Sequence, residues 1–175
     1  MMELLKKESV QQQSGDVHRA SDVIRWNPPC LNFVKINFDV SFLDGSTPSG
    51  IGLILRSCTW KFEGAKGERI QVVDEEQGEV VAALESIKWA MEQVIKNLIL
   101  EGDNKNVVNA INGNMNYINR TTNSVVQECL FLLKSFKNWS CSFVKRDANS
   151  VWQNMLEPMV MVFGTLSLQI SFMEI

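Results

Sequence analysis

The chain has 175 residues, 45% hydrophobic and 21% charged, with a formal net charge of −3. Those figures are those of an ordinary soluble globular protein with one sizeable core, so one domain is the expectation. The small negative charge lowers the expected affinity for a polyanion but leaves local basic patches open.

Taken in chain order, residues 1–24 are polar around Gln11-Gln12-Gln13-Ser14-Gly15 and read as a disordered leader. Met1 to Arg19 has no apolar core and is not a secretory signal. Trp26-Asn27-Pro28-Pro29 is extended, because each proline disfavours helix in the residue before it. Phe33 to Phe42 reads as a strand, with Phe33, Lys35, Asn37 and Asp39 on one face and Val34, Ile36, Phe38 and Val40 on the other. Asp44 to Gly50 has turn chemistry; strands over Ile51–Arg56 and Trp60–Lys66 follow, closely enough joined for an antiparallel meander.

The spacing predicts a long helix over Glu75–Lys96, with Val80, Leu84, Ile87, Met91 and Val94 as its buried stripe. Beside it runs a second line, Glu79, Ala83, Ser86 and Ala90, whose mostly small side chains would let the helix lie close on a sheet. A short strand, Asn97–Glu101, a brief helix, Asn104–Ile111, and a helix over Thr122–Phe136 come next. Trp139–Lys145 is a fifth strand, and Asn149–Leu156 starts a last helix stopped by Pro158. The order βββαβααβα predicts one α/β domain with a mixed sheet. The apolar stretch Met159–Ile175 is too short and too broken by polar residues for a membrane span, and the protein is expected to be intracellular.

The lone histidine, His18, sits in the polar leader, so a Ser-His-Asp triad, a Cys-His dyad and a histidine zinc site are not expected. Cys30, Cys58, Cys129 and Cys141 form no C-x-x-C pair and read as reduced, mostly buried thiols. Three acidic residues stand at element edges instead: Asp39 after an apolar run, Glu79 near a helix start and Asp103 after a short strand. Carboxylates that converge repel unless a cation joins them, which makes a divalent-metal site the first hypothesis. The two later ones also have a plain reading: Glu79 as a favourable charge in the first helical turn, and Asp103 or Asn104 as a helix N-cap.

Together these segments resemble the ribonuclease H domain, in particular its plant retrotransposon-derived group. The likeness runs through Arg25-Trp26-Asn27-Pro28-Pro29, Val34-Lys35-Ile36-Asn37-Phe38-Asp39 and Gly50-Ile51-Gly52-Leu53-Ile54-Leu55-Arg56. It continues in Glu79-Val80-Val81-Ala82, Leu100-Glu101-Gly102-Asp103-Asn104 and Phe143-Val144-Lys145-Arg146-Asp147-Ala148-Asn149. It covers residues 25–157, leaving 158–175 as a divergent tail with strand-like alternation in Leu166–Phe172. The resemblance implies a five-stranded mixed sheet, strands 1–3 antiparallel and two further strands parallel to the first, flanked by helices. It also implies endonucleolytic hydrolysis of the RNA strand of RNA–DNA hybrids by two Mg²⁺ or Mn²⁺ ions on Asp39, Glu79 and Asp103, with Asp39 bridging.

The likeness departs at two positions. Where the family has a fourth ligand, Asp or His, this chain has Gln153, a poor ligand for Mg²⁺. The second ion is therefore expected to be weakly held and turnover reduced. Val40 stands where glycine commonly follows the first aspartate and is expected to crowd a substrate backbone. Lys134, Lys137, Lys145, Arg146 and Asn149 are possible substrate contacts; the lysines and Arg146 read equally well as scattered solvated charges. Trp60, Trp89 and Trp139 could stack on bases but read better as core or boundary residues. An alternative is a catalytically impaired domain that binds nucleic acid or a protein; a third is another nuclease on the same fold.

Overall fold

A computed structural model describes residues 27–59 and 62–145, and the backbone of 168–171. The expected leader, Trp60, Gln153 and the last helix lie outside the described residues. β1 (Val34–Ser41), β2 (Ser49–Arg56) and β3 (Phe62–Ile70) form the antiparallel meander. β4 (Asn97–Gly102) and β5 (Asn138–Phe143) follow, β4 pairing parallel to β1 and β5 parallel to β4. A short β6 (Leu168–Ser171) pairs antiparallel with β3, so the sheet runs β5-β4-β1-β2-β3-β6. The five expected strands are present in their expected directions, and β6, within the tail's alternating stretch, extends the sheet past β3.

β3 runs on to Ile70, four residues beyond its expected end, because its ladder with β2 continues to Ser49 opposite Ile70. β1 lies at the sheet's centre, so every residue from Lys35 to Val40 is buried, polar ones included. The helices among the described residues are α1 (Glu75–Glu92), α2 (Lys105–Ile111) and α3 (Arg120–Leu133), with a 3₁₀ turn at Met115–Tyr117. α1 packs on β1, β2 and β4, and α3 packs on α1. A helix covered on two sides buries more than one stripe. Val80, Leu84 and Ile87 are buried as expected, and so is the whole small-residue line Glu79, Ala83, Ser86 and Ala90.

Met91 and Val94 correct the expected stripe, since both are exposed. The helix ends at Glu92, and Val94 turns left-handed at φ +57°. The Val94 and Ile95 amides then donate back to Met91 and Ala90, each at 3.0 Å, the pairing that commonly ends a helix. Cys129 and Cys141 are buried, Cys58 is half-buried and Cys30 exposed, and all four are free thiols. Burial pushes both buried thiols up to about 12, so neither is a nucleophile at neutral pH. Among the described residues no helix is long and apolar enough to cross a membrane.

Candidate metal centre

Asp39 is the sixth residue of β1, Glu79 the fifth of α1 and Asp103 the first after β4. Because β1 and β4 are adjacent and parallel, their C-terminal ends lie side by side, and α1 crosses over them. One carboxylate oxygen from each of the three residues lies within 4.8 Å of the others.

The plain readings of the two later residues do not survive this geometry. Asp74 caps α1 by accepting from the Gln77 amide, and Glu75 and Glu76 occupy its first turn, so Glu79 sits in the second turn, past the reach of a dipole argument. Asn104, not Asp103, caps α2, accepting from the Asn106 and Val107 amides at 3.1 and 3.2 Å. Neither carboxylate is thereby the cap of a helix.

Two glycines that sequence reasoning passed over bring the backbones together. Gly78 lets α1 close on β1: a Cβ there would lie 2.7 Å from Val40 Cγ2. Gly102 does the same between β4 and β1, where a Cβ would run into the Phe38 ring. The signal was legible in part, as a glycine directly before each of the two later carboxylates, Gly78-Glu79 and Gly102-Asp103. Val40, expected to crowd a substrate backbone, is only 8% exposed and turns its side chain to α1. Helix propensity alone favours alanine over glycine by about 1 kcal/mol. Gly78→Ala is nevertheless expected to destabilise by about 1–3 kcal/mol through overpacking against Val40. Chemical denaturation of both single variants and the double should show Val40→Ala rescuing Gly78→Ala, with a coupling of about 1 kcal/mol or more.

The electrostatics mark Glu79. It is fully buried, and neither of its oxygens meets a hydrogen-bond donor among the described residues. The adjacent Asp39 carboxyl becomes a hydrogen-bond partner only when one of the two groups holds a proton. Burial first, then the charges of Asp39 and Asp103, push the Glu79 carboxyl well above the usual glutamate range. Asp39 is 5% exposed and accepts from the Val40 amide at 2.9 Å. Such crowding is unfavourable unless a proton or a cation neutralises it. Hard carboxylate oxygens from three elements, two of the residues buried, are a donor set that fits Mg²⁺ or Mn²⁺. A cleft of about 260 Å³ opens beside Asp103, lined by Glu75, Asn104, Lys105 and Asn106.

The other expected site residues are not drawn together. Lys134, the C-cap of α3, and Lys137, just before β5, are exposed on the way into that strand, and Lys145 is exposed past its end. Roughly 17 Å of strand separates the two locations, so the lysines form no single basic area. Only Lys145 lies at the carboxylate end, as β5 ends with Phe143 beside Gly102. Lys134 instead places its Nζ 5.9 Å from the Phe131 ring centroid, an intrahelical cation–π contact. Gln153, Arg146 and Asn149 lie outside the described residues. Trp89 is buried and Trp139 packs against the core, as their plainer reading held.

Comparison with known proteins adds the family and the fold. Residues 37–155 match a family model described as reverse transcriptase-like. No curated protein matches the chain. Among solved structures, it is similar to RNase H1 from the halophilic archaeon Halobacterium salinarum, at 22% identity and TM-score 0.63, over 67% of this chain and 89% of that one. It is also similar to the N-terminal RNase H domain of a Mycobacterium tuberculosis protein, at 14% identity and TM-score 0.64, over 76% and 99%. A third likeness, at 12% identity and TM-score 0.60 over 67% and 89%, is to LC11-RNase H1 solved in complex with an RNA/DNA hybrid. At these identities the likeness establishes the ribonuclease H fold.

Proposed function

The chain belongs to the reverse transcriptase-like family, and on that premise we propose that it hydrolyses the RNA strand of RNA–DNA hybrids internally, using divalent cations. The observation that carries this reading is the convergence of Asp39, Glu79 and Asp103 around a fully buried glutamate that meets no donor among the described residues. These three residues would hold Mg²⁺ or Mn²⁺, with Asp39 shared between two ions. When bound, such ions supply an activated water and charge stabilisation at the scissile phosphate. The chain's own contribution is to fix the carboxylates from a strand end, a helix and a strand exit, and so orient whatever binds between them. Lys145, at the same sheet end, would meet a backbone phosphate. Selection of RNA over DNA would come from 2′-hydroxyls, which a shallow minor groove displays. We read the chain as intracellular and, from its opening motifs, as close to the plant retrotransposon-derived group.

A labelled hybrid, incubated with Mg²⁺, with Mn²⁺ or with a chelator, tests the reading. The expected result is internal cleavage of the RNA strand with either ion, none with the chelator, and none of duplex DNA or single-stranded RNA. Cleavage undiminished by the chelator, or no cleavage with either ion, would overturn it.

Gln153 favours a second reading, a weakened or lost enzyme that binds nucleic acid or a protein. If only a ligand is missing, Gln153→Asp or Gln153→His should raise hybrid cleavage by roughly 10–100-fold, the usual scale of a metal-site defect. No gain in a variant that still binds the hybrid would point to the binding module.

A further inference from the structure

One strand period before the carboxylate centre, the sheet contains a buried polar cluster. The paired register of β1 and β4 ends at Asn37 opposite Glu101. Residues two apart share a face of a strand, so Asp39 and Asp103 are the next residues on that face, about 7 Å further on and beyond the last pair. No ladder bond between β1 and β4 extends to them. At the last pair, Asn37 Nδ2 donates to Glu101 Oε2 at 3.0 Å. Lys35 Nζ lies 2.6 Å from Glu101 Oε1 and donates to the Asn27 carbonyl at 2.6 Å. From β2, Arg56 Nη1 donates to Asn37 Oδ1 at 3.4 Å. Lys35 is 5% exposed and Asn37 fully buried.

Burying an ion pair costs desolvation that its attraction often only just offsets, and an apolar replacement of equal volume is frequently as stable. Stability alone therefore explains the cluster poorly. What it does achieve is to tie β2, β1 and β4 together by side chains at the point where the backbone ladder gives out.

We propose that Lys35, Asn37 and Glu101, backed by Arg56, are positioning residues for the carboxylate centre. They clamp β1 to β4 at their last paired residues and so set the separation of the Asp39 and Asp103 carboxylates. The inference rests on the reading of that centre as a divalent-cation site.

Calorimetric titration of the full chain with Mn²⁺, alongside thermal unfolding without metal, tests it. Lys35→Met/Glu101→Gln removes the ion pair while keeping an acceptor for Asn37, and it leaves the net charge near the centre unchanged. Any change in affinity then reports geometry, not field. The expected result is a roughly tenfold or greater loss of Mn²⁺ affinity in a variant whose Tm stays within a few degrees, whereas Lys35→Arg retains the wild-type value. Should the first variant fail to fold, Lys35→Gln/Glu101→Gln, equally charge-neutral and polar, carries the same expectation, because the shorter glutamine at 35 loses the 2.6 Å ion pair to Glu101. A folded variant that binds Mn²⁺ within twofold of wild type would overturn the positioning role. Absence of Mn²⁺ binding by the wild-type chain would instead overturn the cation site itself.

Discussion

Asp39→Asn is expected to reduce hybrid cleavage by at least about 100-fold while leaving the fold intact. The substitution keeps the side chain's shape and an oxygen to accept from the Val40 amide at the end of β1. It removes the charge at the residue proposed to be shared by both ions. Metal charge stabilisation is worth several kcal/mol, and each 1.4 kcal/mol is tenfold in rate, so even partial loss of it gives this effect. Initial-rate measurement on a labelled hybrid at saturating Mg²⁺, with circular dichroism to confirm folding, decides the matter. Unchanged cleavage would sink the assigned mechanism.

Glu79→Gln is expected to act in opposite directions on stability with and without metal. The Glu79 carboxyl is held well above its ordinary value of 4.5 by burial and by the Asp39 and Asp103 charges. A raised carboxyl contributes its full stability below 4.5, where it is protonated in both folded and unfolded states, and loses it as pH rises through the folded value. A neutral glutamine escapes that loss. In chelator the variant should match wild type in acid and exceed it near pH 8 by about 2 kcal/mol, the low end of the several kcal/mol that burying a charge costs. For a chain of this size that is roughly 4–8 °C in Tm. Adding Mn²⁺ should reverse the order, since a ligand at about 100 times its Kd stabilises only the chain that binds it, by ~2.7 kcal/mol. Thermal unfolding across pH, with chelator and with Mn²⁺, measures both arms. Equal Tm values for the two proteins at every pH would contradict the strain assigned to Glu79.

Glu79 also shows why part of the centre was hidden in the sequence. By spacing alone it was as good a first-turn charge as a ligand, because one glutamate near a helix start is commonplace. Asp74, by capping α1 through Gln77, puts the helix start at Glu75, four residues before Glu79, and removes the ambiguity. Asn104 resolves the doubt over Asp103 in the same way. The basic area failed for a different reason. Lys137 and Lys145 are near in sequence, but an intervening extended strand puts its two ends far apart, and only one end is beside the carboxylates.

Alternation in β1, helical spacing in α1 and the turn chemistry between strands are local properties, so composition and period were enough to order the described elements and to mark three acidic residues at element edges, while the five-stranded sheet with its strand directions was what the resemblance implied. Distances belong to the tertiary structure. The convergence of Asp39, Glu79 and Asp103 depends on which strands are neighbours and how closely a helix lies on them. Gly78 against Val40, Gly102 against Phe38 and the Lys35–Glu101 pair join residues remote in sequence. Close approach of that kind leaves no periodic trace along a chain, because it is decided by which two surfaces meet and not by either surface alone.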